Sequence, residues 1–209
     1  MIPLNLDKTW FHDRRLFTVW HPSSRIVLQQ TRNCLYSELH SSLHRACVHL
    51  KGRGGVKGAL RYIMQQQGSH HYVARFDVAR YYESIDHEVL LMILRQRWAS
   101  SASEAVVADY LRLSDWHRSG RGMTAGGSLS PLLAAVMLIP LDEAMKRLRG
   151  RYGLFYVRYM DDFVIMTTTR HRLRQVIKEV HSVMKRLGQG AFSDETLGAT
   201  SAPSLPSQI

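Results

Sequence analysis

Two apolar runs, residues 154–159 and 163–167, are separated only by Met160-Asp161-Asp162. So short a connection cannot carry a crossover to a parallel neighbour, so the runs must fold back on each other as an antiparallel β-hairpin. The tip of that hairpin holds two adjacent carboxylates, raised on Tyr159, Met160, Phe163 and Val164 rather than on a polar loop. An Asp-Asp pair can serve an ordinary solvated turn. Like charges this close are also a demand for a cation, and that second possibility depends on what the sheet places beside them.

A further strand is predicted at residues 72–78, where Tyr72, Ala74, Phe76 and Val78 face one way and Arg75 and Asp77 the other. A lone aspartate at a strand end is commonly a turn former. Asp77, Asp161 and Asp162 at the ends of neighbouring strands are a different matter. Together they can hold two hard cations roughly 3.5–4 Å apart, clamping the attacking and leaving oxygens of an in-line phosphoryl transfer. In that chemistry the protein mainly positions groups and screens charge.

The overall charge agrees with a polyanionic partner. Across 209 residues, 28 Lys and Arg oppose 17 Asp and Glu, a net charge of +11, and each phosphate such a chain neutralises releases counterions. The alternative is a solvated basic surface with no partner. An apolar content of 45% is enough for one substantial core. Cys34 and Cys47 lack metal-ligand spacing and read as reduced thiols of a cytoplasmic protein. Neither a signal peptide nor an apolar run approaching the ~20 residues of a membrane span is present. The histidines are scattered without a zinc-binding arrangement.

Residues 1 to about 30 read as an irregular segment packed by Trp10, Phe11 and Trp20. Helices are predicted from Ser37 to about Leu50, from Ala59 to Gln67, and from His87 to about Trp98 with Asp86 as N-cap. Another should begin at Ser101, in a capping box with Glu104, and run to about Trp116. After a glycine-rich loop at 117–127, a helix opens at Ser130-Pro131 with the serine as cap, kinks at Pro140 and ends at Gly150. A basic amphipathic helix covers about His171 to Leu187. The fold class is therefore α+β, an antiparallel sheet with helices on one face. The tail after Gly188 is rich in Ser, Ala and Pro and is expected to be largely disordered.

The same residues carry a family resemblance. Phe76-Asp77-Val78-Ala79-Arg80-Tyr81-Tyr82-Glu83-Ser84-Ile85-Asp86-His87 resembles the first catalytic block of reverse transcriptases, above all the bacterial group II intron-like branch of mobile elements. Gly126-Gly127-Ser128-Leu129-Ser130-Pro131-Leu132-Leu133 is similar to the next block, and Tyr156-Val157-Arg158-Tyr159-Met160-Asp161-Asp162-Phe163 to the Tyr-x-Asp-Asp hairpin. The resemblance covers roughly residues 50 to 187. It implies a right-hand polymerase palm of ferredoxin-like form at 72–188, a partial helical fingers region at 1–71, and no thumb.

By that resemblance Asp77, Asp161 and Asp162 are the catalytic, metal-binding aspartates, with the Val78 carbonyl completing the coordination of two Mg²⁺ ions (or Mn²⁺). Tyr82 takes the position of a steric gate against the ribose 2′-hydroxyl, and Ala79, Arg80, Ala125 and Gly126 join it around the nucleotide. Ser130, Pro131, Tyr159 and Met160 would meet template and primer, as would Lys51, Arg53 and Lys57 from the fingers. The implied partners are an RNA template, a DNA or RNA primer and a deoxynucleoside triphosphate.

Four departures accompany the likeness. Ala125 stands where many reverse transcriptases place glutamine before the glycine. A Lys-Pro-Asp-Gly-like fingers block is not recognisable in residues 1–50, and Asp194-Glu195-Thr196 replaces a lysine-containing turn. The loss of pattern after Gly188 suggests a truncated or frameshifted gene. Three readings follow: an RNA-directed DNA polymerase core, an RNA-directed RNA polymerase, and a catalytically silent RNA-binding remnant.

Overall fold

The predicted hairpin and the Asp77 strand meet in one sheet. A computed structural model describes residues 4–12, 15–97, 101–115, 117–189 and 192–197. Strands β1 (Leu6–His12) and β2 (Arg15–Trp20) form an antiparallel hairpin of their own. Helices α1 (Pro22–Leu39) and α2 (Gly55–Gln66) precede β3 (Tyr72–Val78). The short α3 (Tyr81–Ser84), then α4 (His87–Arg95), α5 (Ser101–Ser114), α6 (Ser130–Met137) and α7 (Ile139–Tyr152) follow. The chain continues as β4 (Phe155–Tyr159), β5 (Asp162–Thr167), α8 (Arg170–Arg186) and β6 (Phe192–Leu197). Strand order in the main sheet is β4-β5-β3-β6, with every pairing antiparallel.

Strand parity divides the sheet into a back and a front. Ala74, Phe76, Val78, Phe163, Ile165 and Tyr156 share the back and are buried; Phe76 and Phe163 stack with ring centroids 4.8 Å apart. Helix α8 packs here through its stripe Leu173, Val176, Val180, Val183 and Met184, beside α7. Helix α6 is buried on all sides except at Pro131. Arg75, Asp77, Asp162 and Tyr159 fall on the opposite, front parity.

Several expectations hold in detail. Strand β3 spans the predicted residues, and Asp86 caps α4 by accepting from the Glu88 and Val89 amides at 3.1 and 3.2 Å. Others need correction. The helix expected from Ser37 to about Leu50 does not form: α1 runs from Pro22 to Leu39, and residues 40–50 are turns and bends. The buried stripe of α1, Ser24, Leu28, Thr31, Leu35 and Leu39, includes two polar residues that mask its period. Ser24 is satisfied by the Asn5 amide at 2.8 Å, and Thr31 by donating to the Val27 carbonyl at 2.9 Å. Residues 4–12 and 15–30, expected to be irregular, thus form β1, β2 and the start of α1, and Trp20 stacks on Tyr110 at 5.2 Å.

Ser130 does not cap α6. Its hydroxyl donates to the Thr124 carbonyl at 2.9 Å and meets the Tyr110 hydroxyl at 2.7 Å, tying the glycine loop to α5. The expected kink at Pro140 is a break at Leu138 between two helices, with Pro140 in the first turn of α7, and left-handed Gly153 rather than Gly150 ends that helix. Glu104, expected in a capping box, pairs with Arg95 at 2.7 Å; the Ser101 side chain and Trp116 lie outside the described residues. Finally, residues 192–197, within the tail expected to be disordered, pair as β6 with β3, Asp77 opposite Ser193. A strand rich in Ser, Asp, Glu and Thr shows no apolar alternation, so only its partner strand reveals it.

Candidate active site

The front of the sheet gathers the acidic residues. Strands β3 and β5 pair with Phe76 opposite Phe163, the residues adjacent in sequence to Asp77 and Asp162, so these two aspartates lie at the same end of the two neighbouring strands. Asp161 lies between them and the tip, in the two-residue turn Met160-Asp161 that joins Tyr159 to Asp162. Met160 has φ 57°, a left-handed conformation uncommon for a side chain of its size. Two-residue hairpins of this kind ordinarily place glycine where the first turn residue has positive φ. The structure therefore holds a non-glycine residue in a disfavoured state at the tip, which requires support from its surroundings.

That support comes from behind. Arg158 is 0% exposed and its partner Asp142, on α7, 1%. Arg158 donates through Nε to Asp142 Oδ1 at 3.0 Å and through Nη2 to Oδ2 at 2.6 Å, a bidentate pair. Its Nη1 donates to the Met160 carbonyl at 2.8 Å, and the Tyr156 hydroxyl also reaches Asp142 Oδ1 at 2.7 Å. Burial works against the charge on Arg158, but the Asp142 carboxylate outweighs it and the guanidinium is held firmly protonated. Segment Ala46–Val48 runs along the edge of β4, exchanging backbone hydrogen bonds with Arg158 at 2.8 and 2.9 Å. From that segment His49 takes the Met160 amide on Nδ1 at 3.1 Å and contacts the Pro131 carbonyl through Nε2 at 3.1 Å. Burial lowers the pKa of His49 from 6.5 to about 4.

In front, Asp162 is already occupied. Arg75 donates to Asp162 Oδ1 at 3.1 Å and Oδ2 at 2.7 Å, with side chains 54% and 38% exposed. Among the described residues no three His, Cys, Asp or Glu side chains are grouped so as to hold a metal ion. Of the three expected aspartates, Asp162 is the one that the Arg75 guanidinium lies against. The donors themselves suit a hard cation: the Asp77 and Asp161 carboxylates and the Val78 carbonyl are all oxygen ligands.

The remaining expected residues separate into two groups. Ala79 and Arg80 are exposed in the turn after β3, where Arg80 is left-handed at φ 49° and lies 3.9 Å from Glu83. Tyr82 is half-buried in α3, edge-on to Tyr81. Gly126 has φ 87°, and its neighbour Ala125 bridges to Phe17 of β2. Tyr159 and Pro131 are exposed. Ser130, by contrast, is buried in the hydroxyl network described above. Arg53 turns inward, donating to the carbonyls of His40, Leu43 and His44 at 3.1, 2.9 and 2.8 Å, which closes the turn after α1. Lys51 and Lys57 remain exposed.

Arg75, Asp142, Arg158 and His49 were not among the expected residues. Arg158 had a readable signal, since an arginine on the inward parity of an apolar strand requires a buried anion. Arg75 shares the front parity with Asp77. Nothing in the sequence around His49 distinguishes it from the other histidines.

Comparison with known proteins decides the family. Residues 15–190 match the family described as reverse transcriptase (RNA-dependent DNA polymerase). The chain belongs to the reverse transcriptase family. The group II intron-encoded protein LtrA of Lactococcus lactis subsp. cremoris is 23% identical over 134 residues, covering 62% of this chain and 20% of that protein. The retrovirus-related Pol polyprotein from type-1 retrotransposable element R2 of Nasonia vitripennis is 24% identical over 135 residues, 56% of this chain and 13% of that one. This reverse transcriptase chain therefore spans a fifth or less of the length of these relatives.

Its fold is similar to that of solved telomerases. The Candida tropicalis enzyme truncated from its C-terminal domain aligns with TM-score 0.56 and 17% identity over 85% of this chain and 41% of that one. The Candida albicans enzyme in complex with a fragment of telomeric RNA aligns with TM-score 0.58 and 15% identity over 85% and 34%. The α+β palm of a right-hand polymerase is the shared feature. No helix of the described residues is long and apolar enough to cross a membrane.

Proposed function

We propose that this chain forms the catalytic palm of an RNA-directed DNA polymerase, extending a DNA or RNA primer on an RNA template. The observation that carries the reading is the register of β3 against β5, which sets Asp77 beside the Asp161-Asp162 turn on the open face of a basic protein. Asp77, Asp161, Asp162 and the Val78 carbonyl would hold the divalent cations, Mg²⁺ with Mn²⁺ as substitute, with Arg75 giving up Asp162 to the cation. When bound, such ions lower the pKa of a primer 3′-hydroxyl and neutralise the triphosphate.

The chain's own residues do the rest. The Met160 turn lifts Asp161 toward the cleft while its backbone is held from behind. Tyr82, half-buried at the start of α3, presents a ring against the sugar of the incoming nucleotide, favouring deoxyribose. Ala79 and Arg80 lie where the triphosphate would run, and exposed Lys51 and Lys57 offer charge to template phosphates. Gly126 leaves the glycine loop open for the new base pair.

The guanidinium of Arg75 across Asp162 supports a second reading, a silent RNA-binding palm whose acidic front is neutralised internally. One experiment separates the two. The chain is given an RNA template with a labelled DNA primer, Mg²⁺ or Mn²⁺, and either deoxy- or ribonucleoside triphosphates, with Asp161→Asn in parallel. Cation-dependent extension with deoxynucleotides, lost in Asp161→Asn, is expected. Preference for ribonucleotides would make the product RNA. RNA binding without extension in either protein would leave the silent reading.

A further inference from the structure

Both backbone groups of Met160, in the acidic turn, are held by side chains, one from β4 and one from the segment before α2. Its carbonyl accepts from Arg158 Nη1 at 2.8 Å, and its amide donates to His49 Nδ1 at 3.1 Å. The second contact spans 111 residues of sequence. It joins the segment before α2 to the hairpin, and through Nε2 and the Pro131 carbonyl it also reaches the first turn of α6.

The partners dictate the state of the ring. A backbone amide can only donate, so Nδ1 must accept; a carbonyl can only accept, so Nε2 must carry the proton. Only the neutral Nε2–H tautomer satisfies both. The Cys47 thiol, 3.5 Å from Nδ1, is a further donor toward the same atom. Tyr159 packs edge-on against the imidazole with centroids 6.0 Å apart, so the residue before the turn is seated on the same ring.

We propose that His49 is a positioning residue for the catalytic turn: its neutral imidazole fixes the Met160 amide in the left-handed conformation that aims Asp161 into the cleft. The inference rests on Asp161 being a metal-binding aspartate of a working palm. His49 touches neither cation nor substrate in this role. It removes the freedom of a turn whose backbone conformation is disfavoured, and it couples the Pro131 carbonyl, in the first turn of α6, to that turn. A displacement of about 1 Å at a reacting group can cost on the order of a hundredfold in rate, so a loosened Met160 should be felt in turnover.

The first test needs no variant. Nitrogen-15 histidine spectra of the wild-type chain at neutral pH should show one ring as the neutral Nε2–H tautomer, coupled through Nδ1 to the Met160 amide. A His49 ring in the Nδ1–H tautomer, or with no coupling to that amide, overturns the proposal. The second test compares His49→Leu with His49→Asn, whose side-chain oxygen can still accept from the amide. Primer extension by His49→Leu should lose about tenfold to a hundredfold in kcat with KM for the deoxynucleotide within about twofold. Hydrogen exchange at the Met160 amide should quicken, and both changes should be partly reversed in His49→Asn. Turnover and exchange unchanged in His49→Leu, or a loss equal in the two variants and following only their thermal stability, would refute the positioning role. Should wild type fail to extend primers while the tautomer and exchange results hold, the polymerase reading falls and the clamp on Met160 stands.

Discussion

The β4–β5 hairpin is flanked by two arginine–aspartate pairs of nearly identical geometry and opposite circumstance. Behind it, Arg158 and Asp142 meet at 2.6 Å with essentially no exposed surface. In front, Arg75 and Asp162 meet at 2.7 Å with about half and a third of their side chains in solvent. A buried pair cannot be opened without stranding a charge in a medium that solvates it poorly, so it acts as a fixed strut. An exposed pair gains little in water and can exchange partners. The hairpin therefore combines a rigid back, where the turn is held, with an exchangeable front, where under the proposed function a cation would take the place of the guanidinium.

The largest effect should come from breaking the rear pair. Arg158→Met leaves Asp142 buried and unmatched, and unfolding in urea is expected to report a loss of about 3–5 kcal/mol. Adding Asp142→Leu to it should recover most of that loss, because no buried charge then remains. Equal damage in single and double variants would mean that the pair's worth lies in its other contacts, with Met160 and Tyr156.

A smaller effect follows pH. Burial, partly opposed by the Pro131 carbonyl, depresses the His49 pKa from 6.5 to about 4, with Arg158 and Arg53 lowering it and Asp142 raising it. Burial lowers that of His44 as well. The unfolded chain thus binds more protons than the folded one between those values, so stability is full above about pH 6.5 and falls as pH drops toward 4. Thermal midpoints taken between pH 7 and 5 should decline, and less steeply in His49→Leu. A slope unchanged by that substitution would place the titration elsewhere.

The smallest effect belongs to the front pair. Arg75→Ala should alter stability by no more than about 1 kcal/mol, and high salt should reduce even that. Its functional signature is different in kind, a lower Mg²⁺ concentration for half-maximal extension. A stability loss rivalling that of Arg158→Met would erase the contrast between the two faces.

The front was largely legible in the sequence and the back was not. Asp77 and the Asp161-Asp162 turn announce themselves because alternation in Tyr72–Val78 and the short gap after Tyr159 fix both parity and turn position. Asp86 likewise reads as a cap from its place before an apolar stripe. Parity could also have exposed Arg158, which points inward on β4. Its partner on α7 could not be found that way, since pairing across 16 residues is a matter of tertiary packing. The β1–β2 hairpin, α1 and β6 were missed for a shared reason: their apolar signal is diluted by Thr, Ser, Gln and charged residues. Ser130 and Arg53 were placed by resemblance at the substrate, yet the structure spends their polar groups on internal carbonyls and hydroxyls.

The most direct test of an exchangeable acidic front is Mn²⁺ binding followed by electron paramagnetic resonance, in the presence of primer, RNA template and deoxynucleotide. Wild type should bind the ion, Asp77→Asn and Asp161→Asn should weaken it by about tenfold or more, and Arg75→Ala should bind at least as tightly as wild type. Binding that is indifferent to Asp77 and Asp161 would contradict the assignment of this face as the metal site.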